Sequence, residues 1–279
     1  MAQQIRPHFW VVVLRIEFGK VDTAWEKYGL VEARINYNDK PSPYKAIIKD
    51  GKLVAILGAD YRLIPNEVVV DIGNKVAEEV GAKPFKVRYA RTNYLLNKAE
   101  TRVYANYILP RGFDIEGKDR VYVGFSLNNS IDGTMAFGAS GFTFRSVCAN
   151  GVFMGYKEIA HFYRKHTKKF EVDFEAVKEA VLKVLEQTRK AIDAYRKMVR
   201  VELNEEIAEA IAKSTLPRKL LPDYIETEKD RLVRFDPSKT LWDVYNSITE
   251  KLWHDARMDI DTKYRYYQVL HSVIPVVKA

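Results

Sequence analysis

Between Lys83 and Lys98 the chain reads KPFKVRYARTNYLLNK. Five cations (Lys83, Lys86, Arg88, Arg91 and Lys98) stand there without a carboxylate, and Phe85, Tyr89 and Tyr94 are interleaved with them. Cations spaced along an extended backbone can neutralise successive phosphates, and rings between them can stack on bases. On a strand, Lys86, Arg88 and Ala90 share one face, and Phe85, Val87 and Tyr89 the other. The plainer alternative is a solvated strand face.

A second cluster, KEIAHFYRKHTKK, carries Lys157, Arg164, Lys165, Lys168 and Lys169 with His161 and His166. On a helix, His161, Arg164, Lys165 and Lys168 would line one side and form a second phosphate contact. Cations at a helix C-terminus, which the macrodipole favours, are the competing explanation. The two histidines are five apart, not the four that places two metal ligands on one helical face.

Asp132 invites a catalytic reading. It sits in the turn Asn128-Asn129-Ser130-Ile131-Asp132-Gly133-Thr134, where an Asx residue before glycine is also what a tight turn needs. Arg145, if it points inward, must pair with an acid or with carbonyls. Asp132 is its natural partner, and both would then be structural. Cys148 and a histidine could form a nucleophile pair, but an apolar strand end suits a cysteine packed as a small hydrophobe. Cys148 is the only cysteine, so an internal disulfide and a metal site built from cysteines are excluded. Gly138-Ala-Ser-Gly141 lacks the Lys-Ser or Lys-Thr of a phosphate loop. No cofactor, metal site or catalytic set is expected.

The elements that must hold these residues are those of an α+β protein: an antiparallel β-meander with packed helices, then a mostly helical C-terminal half. Strands are expected at 8–18, 44–49 and 52–57, with Asp50-Gly51 as a tight hairpin turn. The run 22–27 reads as a short helix and 36–43 as turn. A helix follows from an Asn66 cap to Gly81. Strands at about 85–95, 101–109, 119–128 and 134–147 are joined by short links, which implies antiparallel neighbours. Helices are expected at 156–166, from an Asp173 cap to about Val199, at 204–214, from Thr240 with Asp243 as capping-box partner, and at 260–273. Residues 215–238 read as an irregular connector. The organisation is a sheet and helix core over 1–154 with a helical region over 155–279 packed on it as one compact unit.

The 279 residues are 47% apolar with net charge +8, enough for a normal core and basic enough to favour a polyanionic partner. Abundant Lys, Arg and Glu with few glutamines is a balance found in thermophile proteins. No apolar run approaches the ~18–20 residues that span a bilayer. Phe9 to Leu14 reads as a buried strand rather than a signal peptide, so a cytoplasmic location is expected.

NNSIDGT, FRSVCANGVF and HFYRKHT together resemble a family of phage- and plasmid-associated proteins described only as a domain of unknown function. Its N-S-x-D-G-S/T turn corresponds to Asn129, Ser130, Asp132, Gly133 and Thr134. Its R-x-V-C-x-N segment corresponds to Arg145, Val147, Cys148 and Asn150, and its His-Thr pair to His166 and Thr167. GADYRLIPNE (58–67) and TLWDVYNSITEKLWH (240–254) are similar to two further elements, so the resemblance spans the chain from about Tyr44. Gly151 departs from the usual Thr. The resemblance implies a setting in DNA metabolism. A helix, an antiparallel meander and a further helix also resemble the core of single-strand annealing recombinases. That likeness implies a basic groove holding single-stranded DNA, with Lys86, Arg88, Arg91, Arg102 and the 157–169 segment as contacts.

Three functions compete. The first is a non-catalytic single-stranded DNA-binding protein, homo-oligomeric and related to annealing or recombination. It would use Lys83, Lys86, Arg88, Tyr89, Arg91, Tyr94, Arg102, Lys157, Arg164, Lys165 and Lys168. The second is an enzyme acting on nucleic acid or nucleotides through Asp132, Arg145 and a histidine. The third is a structural or interaction protein of a mobile element.

Overall fold

The computed structural model describes residues 16–91, 100–145, 150–153, 162–168 and 171–274. Four strands open the fold: β1 (Ile16–Asp22), β2 (Leu30–Tyr37), β3 (Lys40–Lys49) and β4 (Lys52–Gly58). They pair antiparallel in chain order. Asp50 and Gly51 turn β3 into β4 as expected, with φ of 51° and 74°, values that an Asp-Gly pair adopts at low cost. The stretch 36–43 is not a long turn. The reversal is confined to Asn38-Asp39, and Pro41 and Pro43 lie inside β3. Pro43 falls where the β2–β3 register breaks between Arg34 and Asn36, and both prolines precede Tyr44, the first β3 residue paired with β4, so that edge asks no N–H of them. The short helix expected at 22–27 is a single 3₁₀ turn over Glu26–Tyr28. Of the strand expected at 8–18, residues 8–15 lie outside the described residues.

Leu30, Ile47, Val54 and Ala55 of this sheet pack with Leu63 and Ile131. Helix α1 (Asn66–Val80) follows. Pro65, not Asn66, takes its N-cap position, and Asn66 is a buried first-turn residue.

A second sheet is built from β5 (Lys83–Arg91), β6 (Glu100–Ile108), β7 (Phe113–Ile115), β8 (Asp119–Ser130), β9 (Phe137–Arg145), β10 (Asn150–Phe153) and β11 (Phe162–Arg164). Its order is β10-β9-β8-β6-β5, with β11 also on β9 and β7 on β8. The expected antiparallel meander is present. The helix expected at 156–166 is not: 156–161 lie outside the described residues, and Phe162–Arg164 are a strand hydrogen-bonded to Phe137–Ala139.

Helix α2 (Phe174–Arg200) starts on an Asp173 cap that accepts from Glu175 N at 3.0 Å. It buries Val177, Val181, Val184, Thr188, Ile192 and Tyr195. At ~1.5–3 kcal/mol for each fully buried aliphatic or aromatic side chain, this face fixes the helix on the sheet. Contact is close at Gly141, where a Cβ would stand 1.9 Å from Thr188 Oγ1. Helix α3 (Glu205–Ala212) is capped by Asn204. The connector 215–238 is not irregular throughout, since it holds the hairpin β12 (Ile225–Glu228) and β13 (Arg231–Phe235). The C-terminal half is therefore mixed rather than mostly helical. Helix α4 (Leu241–His254) has the expected Thr240/Asp243 capping box, and α5 (Ile260–Val273) begins after an Asp259 cap.

The large sheet is sandwiched. On one face Tyr107 Oη donates to Val70 O of α1, and Thr143 Oγ1 lies 2.9 Å from Tyr195 Oη of α2. On the other, Tyr104 stacks on Tyr264 of α5 with centroids 6.2 Å apart. Among the described residues no helix is long and apolar enough to cross a membrane.

Candidate functional site

Two polar clusters contain the motif residues. The first surrounds Asp132, which is 5% exposed. Its carboxylate accepts from Thr101 Oγ1 at 2.5 Å, from Thr134 Oγ1 at 2.5 Å and from Thr134 N at 3.0 Å. Ser130 Oγ closes the same turn by donating to Met135 O and accepting from Met135 N, both at 2.9 Å. Asn129 Nδ2 donates to Ile64 O and to Asn66 Oδ1, and Asn66 Nδ2 to Thr101 O. Tyr61 Oη donates to Ser130 O, its ring stacks on His166 at 4.8 Å, and His166 Nδ1 donates to Arg62 O. These bonds join the 61–66 segment, and with it the small sheet, to β6 and β8. Burial, with Asp132 next, pushes the Tyr61 hydroxyl well up, and burial pushes His166 down. The hydroxyl therefore stays protonated and the imidazole neutral at neutral pH, which suits groups that hold hydrogen bonds.

Arg145 is not paired with Asp132. Its Nε donates to Asp119, whose side chain is fully buried at the start of β8. The two charged motif residues are thus held apart, each with its own partners.

The second cluster lies on the large-sheet face beneath α4 and α5. Strand register sets Lys86 opposite Asn106, Asn106 opposite Ser126 and Ser126 opposite Ser140. The next row is Arg88, Tyr104 and Asn128. Cross-strand partners share a face, so cations on β5 lead into amides and hydroxyls at the sheet centre. Asn106 and Ser126 are 1% and 0% exposed. Asn106 Oδ1 and Ser126 Oγ have no hydrogen-bond partner among the described residues. A buried polar atom left unpaired costs about 1–3 kcal/mol, which a polar ligand or a bridging water offsets.

The strand face expected to be open is covered at this end. The Arg88 guanidinium lies over the Trp253 ring of α4 at 4.5 Å and is half-buried, and burial pulls its ionisation down. Lys263, in the first turn of α5, is 6% exposed, and its Nζ donates to Trp253 O at 2.7 Å. Burial pulls the Lys263 ammonium down, and Arg88 and Lys86 push the same way. Asp255 opposes them, but its carboxylate is engaged by Lys219 at 2.6 Å and Arg257 at 3.4 Å. Arg88 and Lys263 therefore meet at Trp253, with Lys86 on the same strand face, beside the N-terminus of α5, which Asp259 caps.

The remaining expected residues scatter. Lys83 is exposed at the start of β5. Tyr89 is 43% exposed on the opposite face, beside Val87. Arg91 ends β5. Arg102 Nε donates to Thr134 Oγ1 at 2.9 Å. Arg164 and Lys165 line a separate cleft of about 400 Å³ with Phe137 and Tyr163. Lys168 pairs loosely with Asp60 at 3.7 Å beside the small sheet. Tyr94, Lys157, His161 and Cys148 lie outside the described residues. With Arg164 on a strand, the helical face of His161, Arg164, Lys165 and Lys168 does not form.

Lys263 and Trp253 were not anticipated as site residues. A signal was present: Lys263-Tyr-Arg-Tyr-Tyr267 interleaves cations and rings as the 83–98 stretch does. Helical periodicity absorbed it.

Compared with known proteins, the chain matches a family model described as a domain of unknown function (DUF932) over residues 54–272. No curated protein and no solved structure matches it.

Proposed function

The chain belongs to the DUF932 family, whose description assigns no activity, and from its own geometry we propose that it is a non-catalytic protein that binds single-stranded DNA. One observation carries this reading: Arg88 lies over the ring of Trp253, the Trp253 carbonyl accepts from Lys263, Lys86 shares the strand face of Arg88, and the Asp255 carboxylate is already engaged by Lys219. Arg88 and Lys263 are like charges brought near one another with partial or full burial, which opposes folding. A phosphate seated among them would reverse the sign of that interaction. Rings flank the cations, with Trp253 against Arg88 and Tyr264 against Tyr104, as base stacking requires. Asp132 and Arg145 are engaged in separate internal bonds, which favours binding over turnover.

The test is fluorescence anisotropy with labelled oligo-dT across a salt series. Three phosphate contacts on a single strand give a log–log slope of about −2. No affinity at low salt would sink the proposal. A matched oligo-U arm decides between DNA and RNA.

A further inference from the structure

We propose that the cleft between the sheet and α5 beside Tyr104 and Tyr264 receives one unpaired nucleobase; this rests on the DNA-binding reading above. The cleft is about 220 Å³ and is lined by Tyr104, Asn128, Tyr264, Arg265 and Gln268, among others. That is room for a base, and half-buried Tyr264, backed by the buried Tyr104 ring on which it stacks, supplies the aromatic wall.

The polar groups suit the edge of a base. Asn128 is 4% exposed and spends one amide hydrogen on Ala136 O at 3.2 Å. Among the described residues its carboxamide makes no other hydrogen bond, and Gln268 makes none. Each carboxamide offers both a donor and an acceptor, as a base edge does.

Placement joins this pocket to the cations. Arg88, Tyr104 and Asn128 are register partners on adjacent strands. At about 4.8 Å per strand the guanidinium and the carboxamide stand roughly 10 Å apart at their backbones. A phosphate on Arg88, a ring against Tyr264 where it stacks over Tyr104, and an edge on Asn128 are the parts of one nucleotide. The orphaned Asn106 Oδ1 and Ser126 Oγ lie one row along on the same face, an independent sign that the face is built for a polar guest. A base paired in a duplex cannot enter, so the pocket would select single strands.

The experiment compares a dT oligonucleotide, an abasic oligonucleotide with the same number of phosphates, and a duplex. We expect dT to bind about tenfold more tightly than the abasic strand, with equal salt slopes. Asn128→Ala and Gln268→Ala should each bring that ratio toward one. Gln268 is exposed, so its variant stays informative if Asn128→Ala folds poorly. Equal affinity for dT and abasic strands, or a ratio that survives both substitutions, overturns the pocket and leaves phosphate binding standing. Failure of both strands to bind overturns the DNA-binding reading, and the pocket falls with it.

Discussion

Asp132 and Lys263 are charged groups buried to the same depth, 5% and 6% exposed, in opposite circumstances. Asp132 accepts from two hydroxyls and an amide, so its charge is repaid locally. Lys263 donates to one carbonyl and faces Arg88 and Lys86. The first arrangement lowers the free energy of the fold. The second raises it, unless an anion arrives. His271 shows a third solution: burial pushes its imidazole down to about 4, so it sits neutral, with Nε2 hydrogen-bonded to Tyr245 Oη at 2.9 Å. A buried ionisable group that is charged and poorly compensated is the one worth testing for function.

The largest effect should come from breaking the satisfied cluster. Asp132→Ala removes three hydrogen bonds to a buried charge and should cost about 3–4 kcal/mol, seen as a large drop in the thermal midpoint. If the midpoint holds while DNA binding is lost, the assignment of the two clusters is reversed.

Acid should act next, through His271. Above pH 6.5 both folded and unfolded states hold it neutral, so this group adds no pH dependence. Between 6.5 and about 4 the unfolded chain takes a proton that the folded protein refuses, and stability falls. The loss approaches about 3 kcal/mol and then levels off. His166, also pushed down by burial, acts in the same direction. Denaturant midpoints from pH 8 to 4 should decline over this window, whereas a flat profile would contradict neutral burial.

Lys263→Met sharpens the comparison from the other side. Removing the repelled charge should raise stability by about 1 kcal/mol while DNA affinity falls severalfold. A destabilised variant with full affinity would show that the ammonium is a structural anchor for Trp253.

The smallest effect is expected at Lys168. Its pair with Asp60 is long and about four-fifths exposed on both sides, so Lys168→Ala should change stability by less than about 0.5 kcal/mol. It should leave the salt slope of binding unchanged, because the residue stands beside the small sheet.

Features carried by local spacing were legible in the sequence. Asp50-Gly51, the Asp173 cap, the Thr240/Asp243 box and the apolar stripe of α2 all appear where patterns place them. Features set by distant partners were not. Phe162–Arg164 look helical in isolation and become a strand because β9 offers an edge. Pro41 and Pro43 read as punctuation and sit in a strand whose β4 partner begins only at Tyr44, with Pro43 also in a register break against β2. Nothing near Arg145 points to Asp119, which lies 26 residues upstream. The site was half legible. Lys86 and Arg88 stood out as an acid-free run, but the helix that covers them, and brings Lys263, comes from the far end of the chain.

The most direct test is the salt dependence of oligo-dT binding for wild type against Lys86→Gln, an exposed position where folding is not at risk. Loss of one phosphate contact should reduce the magnitude of the slope by about 0.7 and weaken binding at low salt. An unchanged slope and affinity would remove Lys86 from the site and contradict the claim that this face binds phosphate.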